Sequence, residues 1–216
     1  MLAEPHKAWQ VQELSSAAHV SLGLASKVKQ ALVTEGYAIE REKRLLVRDA
    51  RELLDAWAAA YQPKAEAVKL FVPGTASEPE AAVARWLKKH SIRFGLTQYS
   101  GAWRAAPMVR LSRITIWVEP VPPAAWTDFK QQTSGVRVDS GDNVLLWQSD
   151  DGTIFDGLRT LGEPPLPTVS PIQLYLDLKS LVGRGEEAAE AIYEREIASL
   201  WNARKPVDQQ SRNTHQ

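Results

Sequence analysis

The sequence predicts an α+β protein in which a winged helix-turn-helix precedes a mixed α/β domain that ends in long helices. Within residues 1–62 the apolar periodicity predicts helix, turn, helix, hairpin and helix. The second half alternates short strands with helices, and its long terminal helix begins at Ser170-Pro171 and resumes after Gly183. We therefore expect a winged-helix domain over residues 1–62, an α+β domain over residues 63–205 and a disordered tail over residues 206–216.

The first two helices have clear local signals. Apolar residues at helical spacing predict a helix over residues 9–18. After a short break, Ser21 is placed to cap a second helix over Leu22–Thr34. Gly36 follows as the residue that ends this helix. The two helices and their tight turn form the predicted helix-turn-helix.

A hairpin and a third helix complete the first domain. Residues 37–39 and 45–47 are expected to form short strands around a basic tip at residues 41–44. Asp49, followed three residues later by Glu52, has the spacing of a capping box that opens the third helix. The expected core of the domain consists of five apolar side chains: Leu14, Val28, Leu32, Leu53 and Trp57.

The second domain mixes strands and helices without an internal repeat. Ser77 and Glu80 have the spacing of another capping box. Residues 136–138 and 143–147 are expected to pair as a hairpin around Ser140-Gly141. Further strands are expected over residues 69–72, 92–96 and 109–118, and further helices over residues 98–106 and 122–130. Four tryptophans are expected to line the core or, as the alternative, an exposed partner surface: Trp103, Trp117, Trp126 and Trp147.

The composition excludes several classes of protein. The chain has no cysteine, which excludes disulfides and thiolate metal sites and favours a reducing cytoplasm. No apolar run approaches the roughly 18 residues that span a bilayer, and the first residues lack the pattern of a signal peptide, so no membrane partner is expected. Basic and acidic residues balance at 26 each, so nucleic-acid binding requires a local basic patch.

We expect such a patch around the second helix. With Val28 at the centre of the buried face, Ser26 and Gln30 point outward, where they can contact base edges. Lys27 and Lys29 then lie on the two flanks, where cations bind phosphates. The predicted contacts with double-stranded DNA comprise the start of this helix, its outer face and the hairpin tip: Ser21, Leu22, Ser26, Lys27, Lys29, Gln30, Arg41, Lys43 and Arg44.

The local charge supports this hypothesis. Six basic and three acidic residues lie between positions 21 and 48 of a chain that is neutral overall. For an isolated helix, ordinary solvated lysines would be the preferred interpretation. The turn before the helix and the hairpin after it favour DNA binding instead. A winged helix that contacts only protein stays open as an alternative.

A metal-dependent nuclease or nucleotidyltransferase with a DNA-targeting arm is the second hypothesis. Its candidate Mg²⁺ ligands are an acidic stretch: Asp139, Asp142, Asp150, Asp151 and Asp156. Asp128-Phe129-Lys130 also matches a D-x-K fragment. Aspartate beside Gly and Ser is equally turn chemistry, and the four histidines have no metal-ligand spacing. We therefore expect no enzymatic activity, no metal site and no cofactor, and we expect Asp177 to cap a helix or to pair with Arg184.

Three stretches carry a family resemblance. They are WQVQEL at residues 9–14 with VSLGLASKV at 20–28 and EGY at 35–37, then LLDAW at 53–57, and finally VSPIQLYLDL at 169–178 with GRGEEAA at 183–189. Together they resemble the AbiEi-type antitoxin and transcriptional regulator family of type IV toxin–antitoxin systems. The resemblance implies a winged helix that binds DNA, often the protein's own operator, a C-terminal antitoxin domain and a cognate toxin. Winged helices usually begin with a helix before this point, so we expect the first helix to be absent or the chain to start at an internal Met.

Overall fold

The computed structural model describes residues 1–75, 77–106, 113–181, 183 and 185–203 of the chain. Within these ranges the α-helices are α1 (Val11–Ala17), α2 (Leu22–Thr34), α3 (Ala50–Ala60), α4 (Glu78–Lys89), α5 (Gln98–Ala105), α6 (Phe129–Thr133), α7 (Pro171–Lys179), α8 (Gly185–Ile192) and α9 (Ala198–Ala203). Short 3₁₀ helices cover Pro123–Asp128 and Gly152–Phe155, and a π-helical turn covers Tyr193–Ile197.

The strands within the same ranges are β1 (Ala38–Arg41), β2 (Arg44–Val47), β3 (Glu66–Phe71), β4 (Phe94–Thr97), β5 (Ile114–Val118), β6 (Val136–Arg137), β7 (Val144–Gln148), β8 (Arg159–Leu161) and β9 (Leu166–Thr168). This mixture of helices and strands confirms the predicted α+β class. The chain forms two compact units. The first contains Met1–Ala60 together with residues 197–203, which were expected in the second domain, and the second contains Tyr61–Glu196. The predicted tail over residues 206–216 lies outside the described residues.

Helices α2 and α3 begin where local signals predict, and α2 also ends at the predicted position. The hydroxyl of Ser21 accepts a hydrogen bond from the amide of Leu24, at 3.2 Å, and so caps α2. Gly36 follows α2 with φ +81°, a conformation that glycine adopts without strain. Asp49 accepts hydrogen bonds from the amides of Arg51 and Glu52, at 2.8 and 3.0 Å, in front of α3. These caps satisfy amides at the helix starts that have no partner within the helix.

The predicted core of the first unit is wrong at two positions. Val28 is 47% exposed and Trp57 is 46% exposed, whereas Leu14, Leu32 and Leu53 are half-buried. The apolar residues buried in the first unit are Leu2, Trp9, Ala25, Ala38, Leu45, Leu54, Ala58, Ile197 and Trp201. On α2 the buried face is centred on Ala25, and residues three apart on a helix differ by about 60° in direction. The prediction therefore placed the buried face of α2 about 60° from its true direction.

The second unit is built on a seven-stranded mixed sheet. Its strand order is β6-β3-β7-β5-β4-β9-β8. Neighbours pair antiparallel except β5 with β7 and β4 with β9, which are parallel. In the centre of the sheet, Ile116 is opposite both Leu96 and Leu146. The three side chains lie on the same face and are completely buried.

Helices cover both faces of this sheet. On one face, a large apolar cluster joins the strands to α4 and to the segment 123–133, with Trp86 and Phe129 as its aromatic members. On the other face, α5 packs against β4 and β5, and α7 and α8 pack against α5. Trp117 is buried on β5, while Trp103, Trp126 and Trp147 are half-buried. The predicted strand over residues 109–118 is observed as β5, and its first positions lie outside the described residues.

The predicted hairpin of residues 136–147 is wrong. β6 and β7 do not pair with each other, because β3 lies between them and pairs with both. The connection is fixed by the side chain of Asn143, which accepts from the amide of Val72 at 2.9 Å and donates to its carbonyl at 2.8 Å. An early strand of the unit therefore takes the position that the local pattern assigned to a neighbour in sequence.

The predicted capping box at Ser77 and Glu80 is also wrong. The Ser77 side chain caps no amide, and the Glu80 carboxylate is buried against the guanidinium of Arg104 on α5. Glu78 instead accepts a hydrogen bond from the amide of Thr75, at 2.8 Å. The long-range ion pair has displaced the local cap.

Within the described part of the chain, no helix combines the length and the apolar character required to cross a membrane.

Candidate nucleic-acid interface

The solvent face of α2 presents the predicted base-contacting side chains. Ser26, Lys27 and Gln30 are all exposed. With the buried face centred on Ala25, Lys27 lies almost opposite that face, and Ser26 and Gln30 lie on one side of it. Gln30 is 3.4 Å from the hydroxyl of Thr34, a long contact that leaves its amide able to bind another group.

The start of α2 is exposed as well. Ser21 uses its hydroxyl to cap the helix, and Leu22 is 50% exposed. The first amides of a helix carry partial positive charge, which favours a phosphate near this end. The positions predicted at the start of the helix are therefore accessible.

Lys29 differs from Lys27 in its surroundings. Its ammonium lies 2.7 Å from a carboxylate oxygen of Glu40 on β1, and only 20% of its side chain is exposed. An exposed ion pair of this kind contributes little to stability, but it neutralises the lysine locally. Of the two lysines on α2, Lys27 thus presents the less compensated charge to solvent.

The tip of the β1–β2 hairpin supplies the other predicted cations. Arg41 is opposite Arg44 in the register, and Glu42 and Lys43 form the turn with φ of +51° and +62°. Positive φ at both central residues is the requirement of the tight hairpin turn. Arg41 and Lys43 are exposed, whereas the half-buried Arg44 donates to the carbonyl of Ala8 at 3.1 Å.

Trp9 pairs with β2 on the side away from β1, so the predicted placement of Trp9 in a helix is wrong. The amide of Trp9 donates to the carbonyl of Leu45 at 2.9 Å, and the amide of Leu45 donates back at 2.8 Å. A sequence signal was present, because Gln10 and Glu13 form a capping box that starts α1 at Val11. The hairpin is thereby fixed on both sides of β2.

The acidic residues of the alternative hypothesis lie in separate local interactions. Asp151 accepts from the amide and the hydroxyl of Thr153, at 3.0 and 2.6 Å, as a cap of a 3₁₀ helix. Asp142 pairs with Arg113, whose Nε lies 2.8 Å from it. Asp139, Asp150 and Asp156 are exposed. Across the described ranges, no three His, Asp or Glu side chains are grouped so that they could hold a metal ion.

Asp128 of the D-x-K fragment bonds to a different lysine. It accepts hydrogen bonds from Lys89 at 2.6 Å and from the indole of Trp86 at 3.2 Å, and it contacts the ring of His90 at 2.9 Å. The bond from Lys89, followed by that from His90, lowers the pKa of Asp128 below its usual value. This aspartate joins α4 to the segment before α6, which is a structural role.

The sequence model of one protein family matches residues 44–198, a span that covers more than half of the chain. That family is described as a transcriptional regulator, the AbiEi antitoxin of a type IV TA system. The chain belongs to this family. The match confirms the family that the sequence resembles and contains β2, α3 and the second unit.

The AbiEi match begins after α2, so the predicted base-contacting residues lie outside the matched region. No curated protein and no solved structure matches the chain. The predicted roles of individual residues in DNA binding therefore depend on the geometry of the first unit alone.

A buried polar network lies inside the family-matched region. Asp177 on α7 is completely buried, and its Oδ1 accepts from the hydroxyl of Tyr61 at 2.8 Å and from the amide of Gln173 at 2.9 Å. Its Oδ2 accepts from Thr97 at 2.5 Å and from the indole of Trp117 at 2.7 Å.

Asp177 thus has four neutral donors and lies among elements on one face of the sheet. The predicted partner Arg184 lies outside the described residues. Burial raises the pKa of the Asp177 carboxyl to about 6, although its four hydrogen bonds oppose this change. Burial, and then the neighbouring Asp177, also raise the pKa of Tyr61 above its usual value.

Proposed function

We propose that this chain is a DNA-binding repressor that acts as the antitoxin of a type IV toxin–antitoxin system. In this proposal the first unit is a winged helix that binds a double-stranded operator. The observation that supports it best is the exposure of Ser26, Lys27 and Gln30 along α2, next to a hairpin whose tip carries exposed Arg41 and Lys43. Membership of a family of transcriptional regulators favours this function over catalysis.

The proposed contacts divide by chemistry. Ser26 and Gln30 contact base edges in the major groove, because hydroxyl and amide groups can pair with them there. Lys27, Lys29, Arg41, Lys43 and Arg44 contact phosphates, with Ser21 and Leu22 lying against the backbone at the start of the helix. We expect the largest phosphate contributions from the exposed cations. Lys29 and Arg44 already bond to Glu40 and to Ala8 within the unit.

Two lysines on the same helix provide the test. Lys27→Gln should weaken binding to operator and to random duplexes alike, and it should reduce the slope of log affinity against log salt by about one. Lys29→Gln should have a smaller effect, because Glu40 already compensates that charge. Lys88→Gln, on the exposed side of α4 in the second unit, is the matched control and should leave binding unchanged.

Base contacts are tested separately with Gln30→Ala. The variant should lose about 1–3 kcal/mol of binding free energy on the operator and little on a random duplex. Titrations on both duplexes at several salt concentrations distinguish the two classes of contact. If the wild-type chain bound no duplex even at low salt, the repressor function would be excluded.

The antitoxin role is tested in cells. Expression of the chain should restore the growth of cells that carry the toxin encoded beside it. Variants that lose operator binding are tested in the same assay. If they still restore growth, neutralisation of the toxin does not require repression. Growth arrest that persists at high levels of the chain would contradict the antitoxin role.

A further inference from the structure

The last described helix, α9, belongs to the same compact unit as the proposed DNA-binding elements. The unit contains Met1–Ala60 and the segment from Ile197 on, so the second unit is inserted between two parts of the first. Ile197 and Trp201 are 1% and 8% exposed. A segment nearly 200 residues away in sequence is therefore part of the fold of the first unit.

Hydrogen bonds of Trp201 and His6 join α9 to the first residues of the sequence. The indole Nε1 of Trp201 donates to the carbonyl of Leu2 at 2.8 Å, and this bond is buried. In the opposite direction, Nε2 of His6 lies 2.9 Å from the carbonyl of Trp201. Because a carbonyl only accepts, Nε2 of His6 must carry the proton. The histidine thus bonds to a main-chain carbonyl of α9.

The residues that α9 contacts lie a few positions before residues that bond to the hairpin. Leu2 and His6 precede Trp9, which forms two main-chain hydrogen bonds with Leu45 on β2. Arg44, the neighbour of Leu45, donates to the carbonyl of Ala8. The segment that α9 contacts is therefore the same segment that bonds to β2 of the hairpin.

We propose that α9 is a strap that holds residues 2–9 against the hairpin, so that the proposed DNA-binding surface depends on the chain that follows the second unit. Release of α9 makes residues 2–9 mobile, and the hydrogen bonds between Trp9 and Leu45 are then lost. Any partner that captures α9 lowers the affinity of the first unit for DNA by this route. This consequence for DNA rests on the proposed function, whereas the strap itself does not.

Hydrogen exchange in the full chain tests the strap without DNA. Trp201→Ala should speed exchange of the Trp9 and Leu45 amides at least about tenfold and leave the β5 and β7 amides of the second unit unchanged. Leu200→Ala, at a 41% exposed position of the same helix, is the matched control and should leave the Trp9 and Leu45 amides protected. His6→Ala and Trp201→Phe each remove one of the two hydrogen bonds and should give smaller increases.

The outcomes separate the strap from the DNA-binding function. If Trp201→Ala, Trp201→Phe and His6→Ala all left the exchange of Trp9 and Leu45 at the wild-type rate, the strap would be refuted whatever the DNA data. If exchange increased as expected and the wild type bound DNA, Trp201→Ala should lower the affinity at least about tenfold. Increased exchange in a wild type that binds no DNA would retain the strap and exclude the proposed function.

Discussion

Replacement of Asp177 by asparagine removes a buried charge and keeps its shape. The side-chain oxygen of asparagine can still accept from the indole of Trp117, which only donates. Its amide nitrogen can then face Tyr61, whose hydroxyl is able to accept as well as donate. The variant therefore preserves most of the network while it eliminates the titration of the carboxyl group.

The size of the effect follows from the pKa of Asp177. Burial raises this pKa from 3.8 to about 6. One pKa unit corresponds to about 1.4 kcal/mol. Ionisation of Asp177 therefore costs about 3 kcal/mol more in the folded protein than in the unfolded chain, and the free energy of unfolding falls by this amount when the carboxyl ionises. Because the folded-state pKa is the higher, this stability is fully present below about pH 4 and is lost as the pH rises through about 6. Asp177→Asn has no such loss.

Urea unfolding at several pH values between about 4 and 8 measures the difference. Other titrating groups are common to both proteins and cancel in the comparison. The free energy of unfolding of Asp177→Asn, relative to the wild type, should rise by about 3 kcal/mol across this range. Asp177→Ala is the control, because it removes the acceptor of the buried indole of Trp117 and should be less stable than asparagine at every pH. A difference between asparagine and wild type that is constant with pH would refute the buried charge.

Two further changes test the long-range ion pair and the hairpin turn. Arg104→Ala should cost about 3–5 kcal/mol in urea unfolding, because it leaves the carboxylate of Glu80 buried without its partner at 2.7 Å. The double variant Glu80→Gln/Arg104→Met should lose less, and equal losses would contradict this explanation. Glu42→Gly should raise the stability of the first unit by about 1 kcal/mol, because Glu42 has φ +51°. Glu52→Gly, inside α3, is the control and should lower it by about 1 kcal/mol in the same thermal unfolding assay.

The features that were predictable from sequence are those decided by near neighbours. Ser21 caps α2 as expected, and Ser170 caps α7 by accepting from the amide of Gln173 at 3.2 Å. A cap requires only residues within one turn of the helix, so its signal is complete in the local sequence. The order of elements from α1 to β7 was predictable from local patterns, whereas β8 and β9 were not predicted.

Pairing between distant segments was not predictable in this way. The strands at 136–137 and 144–148 resemble a hairpin locally, yet β3 lies between them. Glu80 has a capping-box position, yet Arg104 binds it. In both cases a residue far away in sequence provides a more buried partner, and the local sequence pattern cannot predict that partner. The position of α9 in the first unit is a third example.

The candidate site was predictable in composition but not in orientation. The apolar side chains of α2 cover a wide arc, since Leu24, Val28, Leu32 and Leu22 span about 160° around the helix axis. Periodicity alone therefore does not fix the centre of the buried face, and the packing of Ala25 places that centre to one side of Val28.

The fold of the first unit sorts cations that are equivalent in the sequence. Lys27, Arg41 and Lys43 are exposed. Lys29 bonds to Glu40 and Arg44 bonds to Ala8, both within the first unit. A cation that already has a partner must share or lose it before it neutralises a phosphate, so its net contribution to binding is smaller. The electrostatic part of the proposed DNA affinity should therefore depend mainly on the three exposed side chains, although the sequence marks all five alike.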